Sequence, residues 1–269
     1  KGMLFAGTER GVWVSFNDGS AWQKLQLNMP PVPVHDLTIK DGDLIAATHG
    51  RSFYVLDDLS PLRQLTPGVL ASGVHLYKPR DTHRIDWGGG RGGGGGRGGA
   101  RVGQNPPSGV VVNYNLPKGG EDVTLEFLDG AGKVIKSFNS HADSTQGAGG
   151  RGRGAAPDEE AAFAAAPPVP RVQNRAGLNQ FAWNLRYPDP TVFPGLIMWS
   201  GDTRGPIAPA GTYTVRFSVG GAKPITQTFR LLNDPRSPAT AADQLAQFNF
   251  LIKIRDRVTA ANEAVISMR

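Results

Sequence analysis

Apolar and polar residues alternate along the first sixty positions in short runs cut by turn formers. Residues 4–8, 12–16 and 22–27 read as three strands, separated by Glu9-Arg10-Gly11 and Asn17-Asp18-Gly19. Pro30, Pro31 and Pro33 break the chain, and residues 34–40, 43–49 and 52–56 follow as three more strands. Asp41-Gly42 and Gly50-Arg51 join them, and an Asp-Gly step between apolar runs predicts a tight hairpin. A second series begins at 110–116 and continues at 123–128, 133–138, 180–186, 213–219 and 225–232. Its period of two is clearest in Thr212-Tyr213-Thr214-Val215-Arg216-Phe217.

The period then changes. Leu245, Phe248, Ile252, Arg255, Val258 and Val265 recur at helical spacing, with Leu251 and Ile254 widening the stripe. Thr240-Ala241-Ala242-Asp243 supplies a capping-box start, with Asp in the place of Glu. This stripe is expected to pack on its own domain or a following helix, or else to receive another protein. The fold class that emerges is all-β with a C-terminal helix.

Two segments depart from the pattern. Residues 88–101 are glycine interrupted by arginine, and 147–170 pass from Gly/Arg-rich to Ala/Pro-rich. Both read as flexible surface inserts. An arginine–glycine segment that binds RNA is the sharper reading and predicts a steep salt dependence of affinity. It is disfavoured, because only Trp87 supplies an aromatic beside the run.

The formal charge of +6 is uneven. Residues 1–87 balance nine bases against nine acids, whereas 88–108 carry three arginines and no acid. That distribution outlines no basic groove of the kind nucleic acid needs. There is no cysteine, which excludes disulfides, thiolate metal sites and a cysteine nucleophile. No run approaches the ~18 apolar residues of a membrane span. The chain opens on Lys1 directly before an apolar strand and ends inside a helical pattern at Met268-Arg269. The expectation is a piece of a longer polypeptide, with the closing helix truncated.

One motif is specific. Residues 15–22, Ser-Phe-Asn-Asp-Gly-Ser-Ala-Trp, fit the Asp-box pattern Ser-x-Asp-x-Gly-x-x-Trp, with Asn17 at the Asp position. Ser15, Asn17, Gly19 and Trp22 are thus the candidate structural Asp-box. Asn17 can bond nearby backbone N–H groups, Gly19 can take positive φ, and Trp22 can cover the turn. Together with Val34-His35-Asp36-Leu37 and residues 43–58, this stretch resembles the last propeller blade of bacterial sortilin-like, BNR/Asp-box proteins, often labelled glycosyl hydrolases. Residues 75–80, 177–187, 193–199, 208–215 and 234–236 extend the resemblance. Pro209-Ala210-Gly211-Thr212-Tyr213 is similar to the strand entry of bacterial Ig-like accessory modules.

The resemblance implies a terminal propeller blade over 1–66, a linker over 67–108, an Ig-like β-sandwich over 109–236 with an insert at 139–176, and the helix at 237–269. It implies export to the periplasm, cell envelope or medium. Since a single blade cannot bury both faces, the remainder of the ring must come from the same or another chain.

Catalytic chemistry is harder to place. A glycosidase needs two carboxyl groups ~5–10 Å apart. Asp57 and Asp58 are adjacent and would point to opposite faces of a strand, while Asp41 and Asp43 sit in a turn. Arg10, Arg51 and Arg63 have no spacing that gathers them. His49 and Arg51, at a strand end, are the candidate channel-facing residues. Histidines 35, 49, 75, 83 and 141 show no metal-ligand spacing, so neither metal nor cofactor is expected. The expected function is a non-catalytic component that binds a protein or a glycan, with helix 240–269 or the glycine-rich insert as candidate protein contacts. The alternative is part of a glycoside hydrolase whose carboxylates lie in blades outside this chain.

Overall fold

The computed structural model describes residues 2–85, 106–141, 170–193, 195–196 and 203–269. The insert at 88–101 lies outside them, as do nearly all of 147–170 and the Ile197-Met198-Trp199 stretch. The described chain is mostly antiparallel β-sheet with one long C-terminal helix. It divides into two compact units, Lys1–Ser72 and Gly73–Arg269.

The first unit holds two three-stranded antiparallel sheets. One is β1 (Leu4–Thr8), β2 (Gly11–Ser15) and β3 (Gln23–Lys24) in that order. The other is β4 (Val34–Lys40), β5 (Asp43–Thr48) and β6 (Phe53–Leu56). The Asp-Gly step does what its chemistry predicts: Asp41 and Gly42 take φ of 51° and 89°, and Lys40 pairs with Asp43. Val12, Val34, Leu44, Ala46 and Leu59 form a core shared by both sheets. Gly7 lets β1 approach β4, since a Cβ there would stand 2.9 Å from Val34 Cγ1. Helices α1 (Ser60–Arg63) and α2 (Pro67–Ala71) close the unit.

The third expected strand is cut short. Residues 22–27 keep only two ladder residues, because Leu27 turns to a φ of 44° and the Gln26 amide bonds Met29 O and Pro30 O at 2.8 and 2.7 Å. Those bonds hold a coil in place of a strand.

In the second unit a five-stranded sheet faces a three-stranded one. The larger runs β11 (Val134–Asn139), β10 (Val123–Leu128), β13 (Gly211–Val219), β14 (Ile225–Leu232), β8 (Thr82–His83). The smaller runs β12 (Gly177–Trp183), β9 (Val110–Leu116), β7 (His75–Leu76). Strands β7 and β8 correct the expectation of a linker through 73–85: they join the sheet edges, and β8 pairs in parallel with β14. Period-two alternation turns Val110, Val112 and Tyr114 inward from one sheet and Tyr213, Val215 and Phe217 from the other. Aromatic rings bridge the two: Tyr114 to Phe217 at 4.9 Å, Phe127 to Trp183 at 4.7 Å, and Phe138 to Phe181 at 4.7 Å.

Helix α3 (Ala241–Met268) starts at the expected cap. Thr240 Oγ1 accepts from the Asp243 N–H at 3.2 Å, and the Thr240 N–H donates to Asp243 Oδ2 at 2.9 Å. The Thr240 hydroxyl, which donates to Asp243 Oδ2 at 2.7 Å, and then the Thr240 N–H hold the Asp243 carboxyl below its ordinary value. The inward face keeps Phe248, Ile252, Arg255, Val258 and Val265 of the expected stripe half-buried, while its fully buried positions are polar. Gln244 and Asn262 are its buried residues, and Phe248 meets Tyr187 at 4.7 Å between ring centroids. Asn262 Nδ2 donates to Thr191 O at 2.7 Å, and Thr191 N–H donates to Thr259 Oγ1 at 3.2 Å. The extended segment around Thr191 offers backbone polar groups, so the helix meets it with polar side chains. Leu245, Leu251 and Ile254 remain exposed.

Candidate functional site

Ser15 ends β2 fully buried and organises the turn that follows. Its hydroxyl donates to Asn17 Oδ1 at 3.0 Å and accepts from the N–H of Gly19 at 2.9 Å and of Asn17 at 3.4 Å. Asn17 Oδ1 also accepts from the Ala21 N–H at 2.8 Å. Gly19 has a φ of 90°, and a Cβ built there would touch the Trp22 ring at 3.8 Å. Asp18, at a φ of 53°, ties the turn to the start of β1 through Gly2 N–H to Asp18 Oδ1, 3.0 Å. The structure thus gathers Ser15, Asn17, Gly19 and Trp22 in one self-capped turn. The Ser15 hydroxyl and the Asn17 side-chain oxygen are spent on the turn itself, which fits a structural role better than a chemical one.

The hydroxyl serves three partners from a buried position, so Ser15→Ala is expected to cost about 1–3 kcal/mol of first-unit stability. A urea melt followed by Trp fluorescence measures it, and an unchanged midpoint would remove Ser15 from this role.

His49 and Arg51 flank the β5–β6 turn. Thr48 clamps that turn, its N–H and hydroxyl both donating to Ser52 O at 3.1 and 2.7 Å. His49 stacks on His35 with ring centroids 5.0 Å apart, and its N–H donates to Pro33 O at 2.9 Å. His35 is the neighbour that sequence spacing missed. A register shift in β4 between Val34 and Asp36 brings it there, and a one-residue irregularity leaves no signal in alternation. Arg51 is exposed. Among the described residues no group of three or more His, Asp or Glu side chains could hold a metal ion. Asp43 and Asp58 are joined by structure, since the Asp58 N–H donates to Asp43 Oδ1 at 2.8 Å.

The carboxylates with shifted acidity belong to surface ion pairs. Asp234 is held down near 2, chiefly by the hydrogen bonds it accepts from Arg236. Burial pushes Asp81 up, but the bonds and charge of Arg230 outweigh it and leave the carboxyl below its usual range. Burial pushes the Tyr187 hydroxyl up to about 12, so it stays protonated near neutral pH. Among the described residues these shifts belong to surface ion pairs and a half-buried phenol.

What the described residues do present is unpartnered apolar surface. In the β4–β5–β6 sheet Leu44, Ala46 and Leu56 turn to the core, and the opposite face carries Phe53, Val55, Ile45 and Ala47. Phe53 is 71% and Val55 54% exposed, on neighbouring positions of one strand face. The second patch is on α3. No known protein family, no curated protein and no solved structure matches the chain. No helix among the described residues is long and apolar enough to cross a membrane.

Proposed function

We propose that the chain is a non-catalytic binding or assembly component from the C-terminal part of a sortilin-like, Asp-box β-propeller protein that recognises a protein or a glycan outside the cell's cytoplasm. The observation that carries this reading is the exposed Phe53/Val55 face of the second meander. Propeller blades stack face to face, so a blade has apolar residues on both faces and each is covered by a neighbour. In the first unit one face of β4–β5–β6 shares its core with the preceding meander, while the other exposes Phe53 and Val55 beside half-buried Ile45 and Ala47. Contiguous exposed apolar area of this kind marks an interaction surface.

The self-capped turn at 15–22 supports the Asp-box part of the reading. For the second unit an Ig-like sandwich is the finer proposal. Its support is the two mainly antiparallel sheets that share one core, the fully buried Trp183, and the Tyr213 hydroxyl that donates to Pro209 O at 2.7 Å, four residues upstream. That last bond resembles the tyrosine corner of such sandwiches.

Photo-crosslinking tests the propeller part. With p-benzoylphenylalanine at position 53 of the natural protein, crosslinks are expected to a further β-strand segment, of the same polypeptide or of a partner. A residue 53 that forms no crosslink would overturn the reading.

A further inference from the structure

Helix α3 half-buries Phe248, Ile252, Val258 and Val265 against its domain, as an ordinary surface helix does, but it also carries apolar residues on its outward side. The domain-facing side is also tied by Thr259 and Asn262 through their bonds to Thr191. On the outward side Phe250, Ile254 and Ala261 line an open apolar depression, with half-buried Val258 at its edge and Lys253 and Arg257 on its rim. Phe250 is 64% and Ile254 44% exposed.

Charge on this face is one-sided. Among the described residues neither Lys253 nor Arg257 pairs with an acid. The acids nearest in sequence are engaged elsewhere: Asp256 with Arg255 at 2.6 Å, and Glu263 with the Thr191 hydroxyl at 3.3 Å. A second copy of the helix would bring the same two cations against its own, which repel. An acidic amphipathic helix would cover the apolar residues and neutralise the rim.

We propose that the outer face of α3 is a docking site for an amphipathic helix of another protein with acidic residues flanking its apolar stripe. Phe250 and Ile254 are the anchors, one turn apart, as in helix-in-groove recognition. Lys253 and Arg257 select the partner's charge and speed encounter. The proposal rests on the binding-component part of the reading above and names its partner, but it does not depend on the propeller part.

The test uses the full chain and two fluorescein-labelled helical peptides of about three heptads. Both have a leucine stripe, one with Glu flanks and one with Lys flanks, and binding is read by anisotropy. The Glu-flanked peptide is expected to bind, more weakly as salt rises, and the Lys-flanked peptide to bind at least tenfold more weakly. Phe250→Ala and Ile254→Ser should each reduce binding roughly tenfold. Lys253→Glu with Arg257→Glu should reverse the peptide preference. All four positions face solvent, and circular dichroism checks that the helix persists.

Equal binding of both peptides, binding of neither, or binding insensitive to these substitutions overturns the proposal. So does sedimentation showing a dimer that Phe250→Ala dissociates, since the occupant is then a second copy. Shielding of Phe250 from oxidative labelling in the monomer assigns the cover to the chain itself and overturns it as well. Loss of the crosslink at position 53 with peptide binding intact would sink the propeller reading and leave this one standing.

Discussion

Trp183→Ala is expected to cost the second unit about 3–5 kcal/mol, the range for truncating a buried aromatic. Trp183 is fully buried at the end of β12 and holds the two sheets together. Its ring stacks on Phe127 of the opposite sheet at 4.7 Å and meets Tyr213 edge-on at 6.0 Å. Its indole N–H donates to Arg186 O at 3.2 Å, so truncation also leaves that carbonyl without its donor. Sheets on both sides of the cavity are tied by backbone ladders and cannot collapse to fill it. Calorimetry should show the melting temperature of this unit fall by roughly 6–20 °C at the size of this domain. A shift of a degree or two would mean that the two sheets do not depend on this ring.

Gly109→Ala is the second large effect, about 2–5 kcal/mol from strain and overlap together. Gly109 has a φ of 103°, which side chains rarely tolerate. A Cβ there would overlap the carbonyl oxygen of Trp183 and stand 3.1 Å from the Asn184 Cα. Both obstacles are backbone, so no rotamer change relieves them. The opening of the β9–β12 ladder at the Val110–Trp183 pair is the available response. Hydrogen exchange should show lost protection in both strands, and an unchanged pattern would refute the close approach. Because the two substitutions act on the same ladder end, their costs should not add.

The strands were largely legible in the sequence because their signals are local. Alternation located β13, where Tyr213, Val215, Phe217 and Val219 all turn inward. The Asp41-Gly42 step located a hairpin, and Thr240 with Asp243 located the start of α3. The polar logic of Ser15-x-Asn17-x-Gly19 could also be read directly, since all its bonds fall within six residues.

The candidate sites were less legible. His49 could be named from its place beside a turn, but its partner His35 enters through a bulge, which the alternation does not announce. The expected stripe of α3 is present at Phe248, Ile252, Arg255, Val258 and Val265, but the exposure of Leu245, Leu251 and Ile254 and the burial of Gln244 and Asn262 were not legible. Apolar residues of the helix lie on more than one side, and the choice between them depends on the Thr191 segment, about seventy residues before the helix positions that meet it.

The amino-acid order by itself determined most of the long strands and the closing helix, several turns and the helix cap, and which residues of those strands share a face. All of these follow from contacts a few residues apart. Only the tertiary structure decided which strands pair: β10 lies between β11 and β13, and two short strands at 75–76 and 82–83 close opposite sheet edges. It also decided which apolar faces stay bare, at Phe53 and at Phe250. Those outcomes depend on long-range burial, where many apolar faces compete for few partners, and the pattern along one strand or helix does not record which of them is left without one.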